Sequence, residues 1–146
     1  MEETTLQDAR LAAAKAKLLA EAHTCALCTA AGAWHTASAH GIRPPLQWLR
    51  AAPALLGGAT VADRVVGLAA AMLYAHGGIR AIWAQTMSEP ALAFLEAQGI
   101  VAAHDRLVPE IRNQAGDGLC PMEQKAMQCA TAAQAFALFD AMLPKA

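Results

Sequence analysis

The sequence predicts a single α/β domain, residues 1–146, in which helices are layered on both sides of a β-sheet. Along the second half of the chain, segments typical of strands alternate with segments typical of helices, which favours right-handed crossovers between parallel strands. A hairpin pattern close to the N-terminus adds two further strands. A chain of 146 residues has the usual size of one domain and can bury well over half of its unfolded surface.

The first half of the chain supplies a helix, a hairpin and a shorter helix. An alanine-rich stretch opens the chain, with threonines at its start that are good N-caps. Two β-leaning runs then flank Ala-Ala-Gly, which suits a turn, and paired prolines mark the next helix. The predicted elements are an N-terminal helix over 4–22 within segment 1–22, a core over 23–146 that opens with strands 24–29 and 33–37, and a helix from Pro44–Pro45 to about Ala52.

The second half alternates helices and strands. Thr60 is a suitable N-cap for a helix with Asp63 three residues later, and Ser88 is one for the next helix, with Pro90 in its first turn. Thr131 is a suitable cap for the last helix. The predicted elements are helices over 60–76, 88–98, 120–129 and 131–143 and strands over 79–86 and 100–111.

Composition argues against several classes of protein. The net charge is −1, and the seven aromatic residues do not alternate with basic ones, which argues against a nucleic-acid partner. No run approaches the ~20 apolar residues of a membrane-spanning helix, and acids rather than bases precede the first apolar run, unlike a secretory signal. We therefore expect a cytoplasmic protein with no nucleic-acid and no membrane partner, and with four free thiols.

Cys25 and Cys28 form a Cys-x-x-Cys motif inside a predicted strand. Residues three apart on a strand point to opposite faces, so the two sulfurs do not easily share a metal ion. Cys120 and Cys129 do not repeat the spacing, as a zinc ribbon would require. The pattern therefore predicts no metal site and two thiols packed as small apolar side chains.

Charged and polar residues cluster at two predicted helix starts. Asp63 and Arg64 are the only charges on an otherwise apolar helix that begins at Thr60, and Ser88 and Glu89 directly follow a predicted strand. One interpretation is helix capping by the acids and hydroxyls. The other is that both helix starts face one ligand cleft at the carboxyl ends of the strands, with free amide groups suited to an anion or a carbonyl oxygen.

Cys120 stands at a predicted helix entrance, ahead of Pro121 at the first helical position. The helix dipole favours a thiolate there, whereas Glu123, which can reach back to the N–H of residue 120, and Asp117, in a Gly-Asp-Gly loop, oppose it. Cys120 is thus either a nucleophile with a tertiary histidine partner or a small apolar plug. Arg43, in a turn before a helix, either forks onto a carboxylate or phosphate or is simply solvated.

Three blocks of the sequence carry a family resemblance. The stretches "GIRPPLQWL", "ATVADRVVGLAAAMLYAHGGIRAIWAQTMSEPALAFLEAQGI" and "LVPEIRNQAGDGLCPMEQ" resemble, in this order and spacing, a bacterial and archaeal family described as domain of unknown function 1893. The resemblance covers residues 14–143. It implies a cytidine-deaminase-like fold, a three-layer α/β/α arrangement around a mixed sheet opened by a hairpin.

The resemblance also implies where the zinc of true deaminases would lie, at the starts of the 60–76 and 88–98 helices. Those enzymes use His-x-Glu or Cys-x-Glu at the first start and Pro-Cys-x-x-Cys at the second. Here the positions read "TVADR" and "MSEPA", without histidine or cysteine. We therefore expect a deaminase-like cleft without catalytic zinc or any other cofactor, and fold-level analogy supplies no reaction.

Two functions remain open. In the first, the cleft binds an unidentified small polar molecule, nucleotide-like by fold analogy alone, with catalytic roles for three residues and binding roles for six others. The catalytic candidates are Cys120, Asp63 and Glu89, and the ligand-binding candidates are Arg43, Thr60, Arg64, Ser88, Asp117 and Glu123. In the second, the chain is a non-catalytic regulatory protein that acts as a homo-oligomer, in the simplest case a homodimer, through the apolar segment "AFALFDAML".

Overall fold

The computed structural model describes residues 2–20, 22–113, 115–116 and 118–144. These residues form six α-helices and five strands, together with a short 3₁₀ turn at Pro53–Leu56. In chain order the elements are α1 (Glu2–Ala20), β1 (Cys25–Cys28), β2 (Trp34–Ala37), α2 (Arg43–Ala51), β3 (Thr60–Val66), α3 (Leu68–Gly77), β4 (Ala81–Ser88), α4 (Glu89–Ala97), β5 (Val101–Val108), α5 (Pro121–Ala126) and α6 (Ala132–Met142).

The five strands form one open, mixed sheet in the order β2-β1-β3-β4-β5. Strand β1 pairs antiparallel with β2 on one side and with β3 on the other. Strands β3, β4 and β5 are parallel, and α3 and α4 connect them. The predicted α/β class and the predicted mixed sheet that begins with a hairpin are therefore confirmed.

The predicted helix over 60–76 is wrong in its first half, because Thr60–Val66 is the central strand β3. Its β-branched residues suit a buried strand, and Gly67 ends the strand and is the N-cap of α3. Thr60 is therefore not a helix cap but a buried strand residue opposite Cys28. Asp63 and Arg64 lie on a strand, where successive side chains point to opposite faces of the sheet.

The sheet has helices on both faces. On one face α1 packs against β1, β3 and β4 around a small apolar cluster, namely Ala14, Leu18, Ala26, Ala62 and Trp83. The opposite face carries the larger core, built by α2, α3, α4 and α6 around Tyr74 and Phe139. Each large apolar side chain that is fully buried there stabilises the fold by roughly 1.5–3 kcal/mol.

Local capping predictions are confirmed at two helices. The Ser88 Oγ accepts a hydrogen bond from the Ala91 amide at the start of α4, with Pro90 in the first turn. Thr131 and Gln134 form a reciprocal capping box at the start of α6. Both signals are local in sequence, so tertiary packing does not alter them.

No helix in the described ranges is both long enough and apolar enough to cross a bilayer.

Candidate functional site

A cleft of about 400 Å³ opens beside the carboxyl-terminal half of β3. Its walls come from the connection between α1 and β1, from the turn ahead of α2, and from β3 itself. The residues that line it are Ala22, His23, Thr24, His40, Gly41, Asp63, Arg64 and Val65. Two histidines, an aspartate and an arginine therefore meet at the cleft, and titratable residues gathered at a concave surface mark a candidate small-molecule site.

Asp63 forms the inner wall of the cleft and belongs to a buried hydrogen-bond chain. The Tyr74 hydroxyl, from α3, donates to Asp63 Oδ2 at 2.7 Å. The Cys25 Sγ lies 3.0 Å from the Tyr74 Oη, within hydrogen-bond distance, and either atom can be the donor. Cys25 is also directly opposite Asp63 in the register of β1 and β3. Two side chains, from β1 and α3, thus hold the carboxyl group of Asp63 on β3 in place.

Burial controls which members of this hydrogen-bond chain are protonated. Loss of water around the carboxyl group raises the pKa of Asp63 to about 7, although hydrogen bonds from Tyr74, from the backbone amides of Val65 and Arg64 and from Cys25 act to lower it. Burial, followed by the nearby Asp63 carboxylate, also raises the pKa of Cys25 and of Tyr74 well above their ordinary values. At neutral pH the thiol and the phenol therefore keep their protons, and Asp63 is the member that titrates.

Arg64 points to the α1 side of the sheet and supports the rim of the cleft. Its Nε donates to the His23 carbonyl and its Nη2 to the Leu18 carbonyl, both at 3.2 Å. Leu18 lies in the last turn of α1, where carbonyl groups lack helical partners. Within the described ranges no carboxylate pairs with Arg64, and its Nη1 donates no hydrogen bond.

Thr24 supports the opposite rim. Its hydroxyl is within hydrogen-bond distance of the Ala37 and Ala39 carbonyls, and it therefore holds the chain that leads from β2 to His40. The hairpin brings His23 and His40 to the same cleft although they are 17 positions apart in sequence.

Glu123 is bound to the N-terminus of α3, a position different from the predicted one. Its two carboxylate oxygens accept hydrogen bonds from the Leu68 and Ala69 amides, at 2.7 and 2.8 Å, rather than from the amide of residue 120. A Cβ atom on Gly67 would lie only 2.2 Å from Glu123 Oε1, so the glycine makes room for the carboxylate. Burial raises the pKa of Glu123, and the two amides act to lower it.

Cys120 is the N-cap of α5, as predicted, and its side chain is half-buried. Its amide donates to the Ile111 carbonyl at 3.0 Å, and its thiol makes no capping hydrogen bond. Cys120 does not line the cleft that contains Asp63. Asp117, the other candidate from this loop, lies outside the described residues.

The remaining predicted site residues are separated from this cleft. Arg43 lines a different hollow, of about 500 Å³, between α2 and the chain after α6. Ser88 is buried as the cap of α4, Glu89 is exposed beside it, and Thr60 lies at the opposite end of β3 from α3. Of the nine predicted site residues, the described structure places only Asp63 and Arg64 in the lining of one cleft.

Four residues of the site were not among the candidates, namely Cys25, Tyr74, His23 and His40. Cys25 was expected to pack as a small apolar side chain, and it is indeed fully buried, but its thiol also contacts Tyr74. Tyr74 carries no local signal, because it lies in a run of apolar helix residues. The two histidines flank the hairpin, and only the pairing of the hairpin with β3 brings them to Asp63.

The fold and the cleft define a layered α/β protein with an open, five-stranded mixed sheet. The chain belongs to the family described as domain of unknown function DUF1893 (TM1506), whose family model matches residues 13–143. A crystal structure of a DUF1893 family protein (TM1506) from Thermotoga maritima, at 2.70 Å resolution, has the same fold. The TM-score is 0.82 at 19% sequence identity, and the match covers 92% of this chain and 90% of that chain. No curated protein matches the sequence.

Proposed function

We propose that the cleft binds a small polar molecule and that Asp63 is its acid–base group. The observation that carries the proposal is a buried carboxyl group, with its pKa raised to about 7, in the wall of a 400 Å³ cleft that also contains His23 and His40. Titratable groups with strongly shifted pKa values, placed in a concave site, are typical of functional sites.

The chemistry of the proposal follows from the hydrogen-bond chain. A group with a pKa near 7 is populated in both protonation states at neutral pH, so it can hold a proton at its carboxyl oxygen or accept one from a ligand. The Tyr74 hydroxyl fixes the orientation of the carboxyl group, and Cys25 fixes the hydroxyl. His40 adds ring nitrogens that can donate a hydrogen bond to the ligand or accept one from it.

We also propose that the family fold is cytidine-deaminase-like. The order of hairpin, helix, strand, helix and strand supports this proposal, with the two zinc-bearing helix starts corresponding to α2 and α3 rather than to residues 60 and 88. The chain reads "GIRPPLQ" and "GLAAAML" at those starts, without histidine or cysteine. No cluster of three histidine, cysteine or acidic residues suited to a metal ion occurs in the described ranges. Zinc-dependent deamination is therefore not part of the proposal.

A ligand screen observed by ¹H–¹⁵N NMR tests the proposed function. We expect fragments that combine a polar ring with hydrogen-bonding nitrogens to shift the amide signals of residues 22–24, 40–41 and 63–65. Asp63→Asn should weaken that binding, whereas Asp105→Asn, which changes an exposed acid on β5 outside the cleft, should not. Fragments that shift other amides, or that bind Asp63→Asn as well as the wild type, would argue against the site.

A second candidate function is assembly of copies of this chain through the exposed edge of the sheet. Strand β5 lies at one end of the strand order and exposes Val101 and Leu107, and such edges pair readily with other strands. The segment "AFALFDAML", predicted to pair two subunits, forms the end of α6 and buries Ala135 and Phe139 against the rest of the chain. Light scattering coupled to gel filtration should give a dimer that Leu107→Lys dissociates, and a monomeric wild type would exclude this candidate.

A further inference from the structure

We infer that the ligand of the Asp63 cleft is a small anion, and that Arg64 binds its carboxylate or phosphoryl oxygens. The inference rests on the proposed function and names the class of ligand.

The guanidinium of Arg64 has a charge that the described chain does not neutralise. It is half-buried, it lines the cleft, and no carboxylate of the described residues forms an ion pair with it. By contrast Arg50, which is also half-buried, is paired with the Asp140 carboxylate at 2.6 Å. A charge that is partly removed from water is costly unless a counter-charge accompanies it, so an anionic ligand would complete the site.

The two hydrogen bonds that Arg64 does form leave its binding edge available. Nε and Nη2 donate to the His23 and Leu18 carbonyls, and these two contacts fix the plane of the guanidinium. Nη1 and the second N–H of Nη2 then remain for a ligand. Two such N–H groups match the paired oxygens of a carboxylate or a phosphate, and a fixed guanidinium loses little entropy when it binds.

The other groups of the cleft are compatible with a negative ligand. His40 contributes an N–H donor, and Asp63 is the only acid among the lining residues that the structure describes. The groups that face Asp63 are Cys25 from β1 and Tyr74 from α3, both of which keep their protons. Because burial also favours the neutral form of Asp63, repulsion of an anion is small below pH 7 and increases above it.

The test is a ¹H–¹⁵N NMR titration with two probes, inorganic phosphate and succinate, at pH 6 and at ionic strength held constant with sodium chloride. We expect at least one probe to shift the amides of residues 23–24, 40–41 and 63–65. Arg64→Gln should lower the affinity for that probe about ten- to a hundredfold, because a charge-assisted hydrogen bond is lost. Arg106→Gln, which removes the same charge from an exposed position on β5, should leave the affinity unchanged.

Arg64→Lys tests whether weaker binding by Arg64→Gln comes from misfolding. A lysine keeps the positive charge but lacks the paired donors of the guanidinium. We expect it to fold and to bind the probe less tightly than the wild type.

If phosphate alone binds, the ligand is a phosphoryl compound, and if succinate alone binds, it is a carboxylate. If neither probe shifts these amides while uncharged fragments do, the anion inference is overturned and the proposed function stands. If neither the anions nor the fragments shift them, both are overturned.

Discussion

Asp63 is only 5% exposed, yet it lines the wall of an open cleft. Each hydrogen bond that it accepts favours the ionised form, and the loss of water favours the neutral form more strongly. The balance between these two effects gives the residue its titration near neutrality. The same balance makes the stability of the whole protein depend on pH.

The first prediction concerns this pH dependence. The pKa of Asp63 is raised from 3.8 to about 7 in the folded state, so the folded protein binds more protons than the unfolded chain between these values. The proton that Asp63 binds stabilises the folded state fully below about pH 4, and this stabilisation is lost as the pH rises through 7. Between pH 5 and 8 we expect the free energy of unfolding to fall by about 3 kcal/mol. Urea unfolding at both pH values measures it.

Asp63→Asn provides the comparison, since an amide has nearly the same shape and does not titrate. The variant should lose most of the decrease in stability between pH 5 and 8. Glu123 is unchanged in both proteins, so its own raised pKa cancels in the comparison. Equal pH slopes for the wild type and the variant would contradict the assignment of the titration to Asp63.

The second prediction concerns the Tyr74 hydroxyl. Tyr74→Phe removes the donor at 2.7 Å from Asp63 Oδ2 and leaves a buried carboxylate oxygen without it. We expect a loss of about 1–3 kcal/mol in the free energy of unfolding at pH 8, where Asp63 is ionised, and a smaller loss at pH 5. The pKa of Asp63 should rise further, because this hydrogen bond acts to lower it. A cost that is the same at both pH values would indicate a packing effect alone.

The third prediction concerns the four thiols. Cys25 and Cys28 are buried, whereas Cys120 and Cys129 are half-buried. With iodoacetamide at pH 8 we therefore expect Cys120 to be labelled faster than Cys25 and Cys28 and at a rate comparable to Cys129, measured by mass spectrometry of the separate peptides. Labelling of Cys120 far ahead of Cys129 would favour a nucleophilic thiol and would count against Asp63 as the principal reactive group.

At the scale of the elements, β3 shows which part of the fold was predictable from the sequence. The caps at Ser88 and Thr131 were correct because each cap bonds to an amide three residues away. The sequence predicts a helix from Thr60 because Asp63 three residues later fits a capping pattern and Gly77–Gly78 suit its end. The structure instead places Asp63 and Arg64 on strand β3, where both make tertiary contacts. Their partners lie 11 positions away for Asp63, at Tyr74, and 41 and 46 positions away for Arg64. No local pattern records such distances.

The fourth prediction belongs to the junction of β3, α3 and α5. Gly67→Ala would place a methyl group 2.2 Å from Glu123 Oε1 and 2.8 Å from Ile111 Cγ1, which forces the carboxylate away from the α3 amides. We expect a destabilisation of about 2–3 kcal/mol, from overpacking and from the lost helix cap, measured by urea unfolding.

Gly118→Ala is the matched control for this substitution. Its new methyl group would meet its nearest neighbour, the Asn113 Nδ2, at 3.6 Å, which is an ordinary contact. This variant should remain within about 0.5 kcal/mol of the wild type. Equal stabilities for the two alanine variants would show that Glu123 contributes little to the N-terminus of α3.

At the scale of the whole molecule, the sheet order determines which candidates meet. The layered α/β class followed from the alternation of strands and helices, but the cleft depends on β1 pairing with β3, which joins residues about 35 positions apart. That pairing places His23, His40 and Cys25 beside Asp63, whereas Arg43, Ser88 and Cys120 lie at other places in the fold. The sequence contains the residues of such a site, but which of them meet depends on the pairing of strands that are distant in sequence.

The contact between Glu123 and α3 also has a consequence for hydrogen exchange. The first amides of a helix usually exchange rapidly with solvent, since they have no partner within the helix. In this protein the Leu68 and Ala69 amides are covered by a carboxylate from α5, a separate and very short helix. Their exchange rates therefore report on the docking of α5, and two amide signals follow the opening of that segment without unfolding of α3 or the sheet.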